Sequence, residues 1–487
     1  MRLRFQSKPA SSGLLGPDGL PISASLYDAA STGRRLADFP STASSPNAQV
    51  QVGELAILRH RARHLLRNNP WIRNGIQADV ANEIGTGIRP RPDTEDAELN
   101  EVLLKLFNQW RDEADADGIH GFYDLQAMIA KARRESGEVF IRIRRRRFED
   151  GLVVPLQLQV LEADYCPLTL NRTRSNGNRI VSGIEFDKLG RRVAYWFYRR
   201  HPLDQHADLD AMDAPVRVSA DAVIHHFIPA RPGQIRGEPV MLSSMTRAWH
   251  FEAYDDAELE RKKQRAAYTG VVTKPVPEDA YDQDNWLFDP LTGTPLKADG
   301  MADMEAQPGS FASLLPGESI ELFPGDQTGA GYADFIRQQL LGISAGLGVP
   351  YELVTGDYKE INDRIWRSLI NQYRRRIEQE QQVFIKQVCQ PVWRAFVDAA
   401  VLSGAVQIPH FETRQRQVQN VQWRPQAWPH IHPQQDVAAM AAVIDSGLDS
   451  RQSVVASRGR DVEQIDKERA EDLARLQRLG LTGGGDE

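Results

Sequence analysis

Apolar residues at helical spacing mark the first folded stretch of the chain. Leu55, Leu58, Leu65, Leu66, Ile72, Ile76 and Val80 recur at that spacing between Glu54 and Ile84. The pattern breaks at Asn69-Pro70, because a residue before proline disfavours the helical region. Two helices are predicted, the second ended by Gly85-Thr86-Gly87, since glycine tolerates a left-handed cap. Helical spacing returns from Glu95 to Trp110 and from Phe122 to Ser136. The period then changes to two. Glu138 to Arg144 alternates as a strand, and more strands are expected at Leu156 to Glu162, Ile180 to Asp187, Ala194 to Tyr198 and Val223 to Ile228, with turns at Asn176-Gly177 and Leu189-Gly190. The expected fold class is α+β.

From Met241 to Ala267 neither glycine nor proline interrupts the chain, so one long helix is predicted. Its charges run from Glu252, Asp255, Asp256 and Glu258 to Arg261, Lys262, Lys263 and Arg265, the order that complements a helix dipole. A second helix, Tyr332 to Leu347, carries the small residues Gly342, Ser344, Ala345 and Gly346 among larger apolar ones, which lets a neighbouring helix approach closely. A loop to Asn362 follows, then a helix from Asp363 to Val401 with a kink expected at Pro391. The tail from Gln434 to Leu479 reads as short helices split by Gly447 and Gly459. The first 50 residues, rich in Ser, Pro, Gly and Ala, read as an arm that orders only against a partner.

Charge sharpens this picture. The chain of 487 residues has a net charge of −7, which argues against coating nucleic acid along the whole surface. Between Pro275 and Asp334 twelve acids face a single base, Lys297; among them are Asp282, Asp284, Asp289, Glu318 and Glu321. That segment, with short strands expected near Gly270 to Thr273 and Ser319 to Leu322, separates the two helices as an acidic insert. No apolar run is long enough for a membrane span, and the first residues lack the apolar stretch of a signal peptide, so a cytoplasmic protein without membrane contact is expected. Cys166 and Cys389 have no metal-type spacing and read as buried free thiols.

Candidate chemistry is sparse. Gly342-Ile343-Ser344-Ala345-Gly346 matches the G-x-S-x-G pattern of serine hydrolases, but a helix precedes it where that motif needs a strand, so close helix packing is favoured over a Ser344 nucleophile. Glu113 to Gly118 begins like a calcium loop, yet the twelfth position is Asp124 and the eighth is His120, which favours an acidic turn. His225 and His226 are adjacent in a strand and face opposite ways. His430 and His432 have no acid or cysteine in register. Arg142 to Arg147 reads as a solvated strand face, and Arg374-Arg375-Arg376 as ion-pair or phosphate partners. Neither a P-loop nor a dinucleotide fingerprint is present. No cofactor, metal or catalytic residue is expected.

Several short segments appear in the order seen in one family. They include Tyr27-Asp28-Ala29-Ala30, Arg67-Asn68-Asn69-Pro70, Ile84-Gly85-Thr86-Gly87-Ile88, Gly137-Glu138-Val139-Phe140, Leu161-Glu162-Ala163-Asp164, Arg231-Pro232-Gly233-Gln234-Ile235-Arg236-Gly237, Leu314-Leu315-Pro316-Gly317-Glu318, Gly346-Leu347-Gly348-Val349-Pro350-Tyr351 and Thr355-Gly356-Asp357-Tyr358. Over roughly residues 27 to 410 the chain resembles the portal proteins of lambda-type tailed phages. One departure is Asp363-Arg364-Ile365-Trp366-Arg367, where many relatives carry Tyr-Ser-Ser-x-Arg.

The resemblance implies a head-tail connector that is not an enzyme: a homo-oligomeric ring, commonly of twelve subunits, at one capsid vertex of the virion, assembled in the host cytoplasm. Double-stranded DNA would pass through it, and the terminase large subunit, a head-completion adaptor, and capsid and scaffold proteins would be partners. In these terms the arm is 1–50, the wing 51–240, the first stem helix 241–269, the acidic clip 270–331, the second stem helix 332–348 and the tunnel loop 349–362. A long helix over the wing (363–405) and a crown with tail (406–487) complete the chain. Tyr358, Lys359 and Arg364 would lie nearest the DNA. The alternatives are another head-tail adaptor, or a hydrolase using Ser344.

Overall fold

The computed structural model describes residues 45–49, 52–204, 214–272, 287–288, 295–296, 310–313, 330–359, 361–428, 433–458 and 460–479. The chain divides into two units at Gln49/Val50. Of the first, the described part is the short helix Pro46–Gln49 and the residue before it. All that follows concerns the second.

It opens with α1 (Val52–Asn68) and α2 (Pro70–Glu83). The break falls where the sequence places it: the Asn69 side chain accepts the Ile72 amide at 3.0 Å, and Pro70 takes the first helical position, where an amide is not needed. Gly85 and Gly87 close α2 with positive φ. After β1 (Arg89–Pro92) come α3 (Ala97–Trp110) and α4 (Phe122–Ser136), then β2 (Glu138–Arg145) and β3 (Leu156–Glu162).

The predicted strand Ile180 to Asp187 is two strands. The chain runs β4 (Arg172–Thr173), β5 (Arg179–Val181), β6 (Ile184–Phe186), β7 (Arg192–Phe197), β8 (Val216–Ser219) and β9 (Val223–Phe227). Between β5 and β6, Ser182 and Gly183 both take positive φ, making a two-residue hairpin turn. A side chain at Gly183 would meet Cys166 Sγ at 2.7 Å, so a backbone close to a neighbour fixes this turn. Strands β4 to β8 form an antiparallel sheet in sequence order, and β3-β2-β9 a second sheet. Phe140 and Leu161 of the small sheet pack against Ile184, Tyr195, Phe197 and Val218 of the larger one.

Two helices then follow, α5 (Leu242–Ala267) and α6 (Ala330–Leu347), and between them the parallel pair β10 (Tyr268–Val272) with β13 (Ser310–Ser313) and the hairpin β11 (Leu287–Phe288) with β12 (Pro295–Leu296). The strand expected near 319–322 lies outside the described residues. The stretch expected to be a plain loop contains α7 (Tyr351–Thr355).

The longest helical run is α8 (Asp363–Phe384), a π-turn (Ile385–Cys389) and α9 (Gln390–Leu402). The irregularity sits just before Pro391: the Gln390 amide bonds to Ile385 O, and Pro391 has no amide to offer. Phe384, Val388, Val392, Trp393 and Phe396 pack on Phe107, Trp110, Phe122, Val139 and Ile141, so this helix covers the α+β block. Among the elements that the sequence reading did not include are α10 (Phe411–Val418) and β14 (Val421–Arg424), the latter antiparallel to β1. The tail holds α11 (Pro433–Asp445), α12 (Arg451–Ser457) and α13 (Val462–Arg478). Gly447, with φ 73°, ends α11 as expected, while Gly459 lies outside the described residues.

Candidate functional site

The helices α5 and α6 lie against one another, and their small residues explain how closely. An added Cβ at Gly346 would stand 2.7 Å from Ser244 Cβ, and one at Gly342 would stand 2.8 Å from Arg247 Nη1. Ser243 Oγ donates to Gly346 O at 3.3 Å, and Arg247 donates to Gln339 at 3.0 Å. Ser344 is buried in mid-helix, its hydroxyl without a partner among the described residues, whereas Ala345 is exposed and lies outside this contact. No strand-to-helix turn exposes Ser344, so the geometry of a hydrolase nucleophile is not there. Farther along, Tyr332 donates to Asp255 at 2.9 Å, and burial with that carboxylate pushes its hydroxyl up to about 12.

Apolar side chains remain in the open on this pair. Trp249, Leu259, Phe335 and Leu341 are each more than two-fifths exposed. Beside Trp249, a groove of about 550 Å³ runs between α1 and α5, lined by Leu58, Arg61, His64, Leu65, Met245 and Trp249 among others.

After α6, Gly348 turns the chain and α7 seats on α2: Asn74 Nδ2 donates to Leu353 O and Val354 O at 2.9 and 2.8 Å, and Val354 is fully buried. What projects is the shorter stretch after Gly356. There Asp357 accepts the Lys359 amide at 3.1 Å, and the Asn362 side chain caps α8 through the Arg364 amide at 3.0 Å. Tyr358, Lys359 and Arg364 are all exposed, and Tyr358 meets Trp366 edge-on at 5.8 Å. Tyr358 and Lys359 thus stand exposed before α8 and Arg364 exposed in its first turn. Asp282, Asp284, Asp289, Glu318 and Glu321 lie outside the described residues.

Of two buried ionic clusters, the first holds α8, the helix that follows this connection. Arg134 of α4 bonds Asp79 and Glu83 of α2 and reaches Glu380 of α8 at 3.0 Å; Arg376 of α8 bonds Asp79 and Glu380, and Tyr373 donates to Asp79 at 2.9 Å. Burial would raise the Asp79 and Glu83 carboxyls, but the arginines hold both below the usual range. The basic run Arg374 to Arg376 is therefore partly consumed within the chain, with Arg374 also stacked on Trp428 at 5.2 Å. In the second cluster Glu138 receives Arg59 at 2.5 Å, Arg236 Nε at 2.7 Å, His225 at 2.9 Å and the Gly237 amide at 3.0 Å. Burial opposes its charge, yet Arg236, Arg59 and His225 keep Glu138 well below the carboxylate range. Sequence reasoning listed Glu138 and Arg236 only as matched segments, because nothing local links residues 98 positions apart.

The remaining candidates resolve simply. Asp115 accepts the amides of Asp117, Ile119 and His120, so the calcium-like segment is a self-satisfied turn. His225 faces Glu138 and His226 faces Gln387, on opposite sides of β9. Arg144 and Arg146 bond Gln159 and Gln157 across the sheet, as a solvated strand face would. Cys166 and Cys389 are buried free thiols, with burial pushing Cys166 up to about 11. His430 and His432 lie outside the described residues. The group of potential metal ligands among the described residues, Glu162, Asp164 and His201, is already bridged by Arg63, which bonds both carboxylates. No described helix is long and apolar enough to cross a membrane.

Comparison with known proteins places this architecture. Residues 32–381 match the family model described as phage portal protein, lambda family. A probable portal protein of Halomonas phage phiHAP-1 is 28% identical, over 87% of this chain and 81% of its own length. Portal protein B of Escherichia phage lambda is 21% identical, over 96% of this chain and 93% of its own. Among solved structures, the neck of a native GTA particle computed with C12 symmetry aligns over 87% of this chain and 97% of that one, with 14% identity and a TM-score of 0.40. With the family model covering most of its length, the chain belongs to the lambda family of phage portal proteins.

Proposed function

We propose that this chain is the repeating subunit of a portal ring, with no catalytic group of its own, set at one vertex of a phage head as the head-tail connector. The ring is a passive conduit for double-stranded DNA during packaging and ejection, and a docking platform for the terminase large subunit, the head-completion adaptor, and capsid and scaffold proteins. The observation that carries this reading is the close-packed pair α5 and α6 on either side of a segment with eleven acids and two bases.

In this reading 51–240 is the wing, the helix pair the stem, the acidic segment the clip, and the crown follows 405. The connection after α6 is the tunnel loop, and its anchored half, α7, leaves residues 356–362 to face the duplex. A conduit must not bind what it passes, because a strong phosphate attraction becomes a barrier to sliding; an acid-rich lining repeated around a ring meets that need. The clip acids Asp282, Asp284, Asp289, Glu318 and Glu321 alternatively steer basic partner surfaces. Tyr358, Lys359 and Arg364 are the groups nearest the DNA.

Negative-stain electron microscopy and a mass measurement of the purified full chain test the ring. Annular particles of one discrete multiple, twelve on the family pattern, are expected; a monodisperse monomer under assembly conditions would sink the reading. Deleting 356–362 should impair genome packaging or retention, and an unchanged yield of filled heads would remove the loop's assigned role.

A further inference from the structure

The five-stranded sheet has two unlike faces. Ile184, Tyr195, Phe197 and Val218 turn inward to the core, and the alternate positions turn outward. On that outer face Arg217 stands opposite Trp196 in register, with Arg172 at the far strand. The Arg172 guanidinium lies 4.8 Å from the Trp196 ring centre and that of Arg174 lies 5.8 Å away. Beneath them a single acid, Glu185, takes Arg174 at 3.1 Å and Arg217 at 2.8 Å, with Asn178 at 2.7 Å. Burial would raise its carboxyl, but these donors bring it down to about 2, so it stays charged.

Among the described residues the face therefore holds three guanidiniums over one carboxylate, an excess of two positive charges in a chain whose net charge is −7. Arg172 is exposed and has no ion-pair partner among the described residues. A guanidinium stacked on an indole uses its flat face there and keeps its N–H edge for a planar or tetrahedral anion. Glu185 fixes Arg174 and Arg217, and Trp196 fixes Arg172, so the donors are held before any ligand arrives, which lowers the ordering cost of binding.

From this arrangement we infer that the outer face of the five-stranded sheet is a binding site for the phosphate backbone of nucleic acid. Arg172 and Arg217 supply the contacts, and Trp196 and Glu185 are positioning residues. Two guanidiniums already lie against the Trp196 ring, so contact is with phosphates and carries no base preference. Its residues are distinct from the acids of the proposed clip, whose charge would act the other way. Which nucleic acid meets it in the particle rests on the portal reading; the chemistry of the site does not.

The test is fluorescence anisotropy of a short labelled DNA duplex with the full chain at several salt concentrations. Arg172→Ala with Arg217→Ala should weaken binding on the order of tenfold at low salt and reduce the salt slope by about two. Arg172→Gln, which keeps a polar side chain on the indole, should show part of the loss with an unchanged unfolding midpoint. Arg475→Ala, on the exposed α13, should change nothing. An unaltered affinity and slope in the double variant overturns the site, and so does displacement by polyglutamate as effective as by duplex DNA, which would make it a docking face for an acidic protein segment. Rings seen by electron microscopy in the double variant, with binding lost, separate this site from the portal assignment. If the unmodified chain forms no rings yet loses duplex binding with these arginines, the site stands and the portal reading falls.

Discussion

The joint between α2, α4 and α8 and the joint between α5 and α6 are both helix contacts, and they are built in opposite ways. The first is cemented by buried charge: Asp79, Glu83 and Glu380 against Arg133, Arg134 and Arg376, with Arg134 fully enclosed. The second relies on small residues at the contact and leaves Trp249, Leu259, Phe335 and Leu341 exposed. A buried ionic network is complete within one chain and specifies a single geometry, because each misplaced charge would be left unpaired. A helix pair with open apolar faces is incomplete within one chain. That contrast fits the proposed ring, in which one part of the subunit is self-sufficient and the helix pair would be completed by neighbouring copies.

The largest effect should come from breaking the first joint. Arg134→Met strands Asp79 and Glu83 without their main partner, and a loss of about 3 to 5 kcal/mol is expected from chemical denaturation of the dissociated subunit. A loss below about 1 kcal/mol would show that the network is not what fixes the joint.

Acid should weaken the β9 neighbourhood, where His225 meets Glu138 and His226 meets Gln387. Burial drives His225 down to about 4 and His226 to about 3, with Glu138 and Gln387 only partly opposing this. A histidine whose folded value is depressed binds its proton more readily when unfolded. Its contribution is therefore complete above about pH 6.5 and falls away as pH drops toward the folded value. Each should cost on the order of 2 kcal/mol between pH 6.5 and pH 5. Denaturation midpoints across that range should decline, and His226→Gln should flatten the decline; an equally steep curve in that variant would refute the assignment.

In the second joint steric fit matters more than charge. Gly346→Ala should cost roughly 1 to 3 kcal/mol, because the new Cβ collides with Ser244, whereas Gly331→Ala, with open space around it, should be neutral or slightly stabilising. Equal effects at the two glycines would mean that the small residues do not set the α5–α6 distance.

The smallest effect on the isolated subunit should come from the exposed apolar groups. Leu341→Ala and Leu259→Ala should leave the monomer's unfolding midpoint within about 0.5 kcal/mol of the original. They should lower the fraction sedimenting as assembled rings. Unchanged assembly would place the subunit contacts on another face.

Local chemistry was legible wherever a residue and its partner are near in sequence. Asn69-Pro70 announced the α1–α2 break, and Asn176-Gly177 and Leu189-Gly190 announced two hairpins. Pro391 announced the irregularity that appears as the π-turn. The hairpin at Ser182-Gly183 was missed because Val181 and Ile184 on either side continue an apolar strand pattern, and a non-glycine residue takes the left-handed conformation. α7 was missed because five residues between Pro350 and Gly356 are too few to show a helical period.

The sequence by itself determined the helices and most strands, the family, the close approach permitted by Gly342 and Gly346, and the segregation of acid into one insert. These depend on composition and on spacing within a few residues, where backbone geometry dictates the outcome. Tertiary structure alone decided the β1–β14 pairing, the meeting of Glu138 with Arg59 and Arg236, the Asp79 to Arg376 bond across 297 positions, and the gathering of Arg172, Arg217 and Trp196 on one face. A charge has no period and no preferred sequence distance. Its partner is whichever opposite group the packed chain carries to within a few ångströms, and that is known only once the apolar core has set where each element lies.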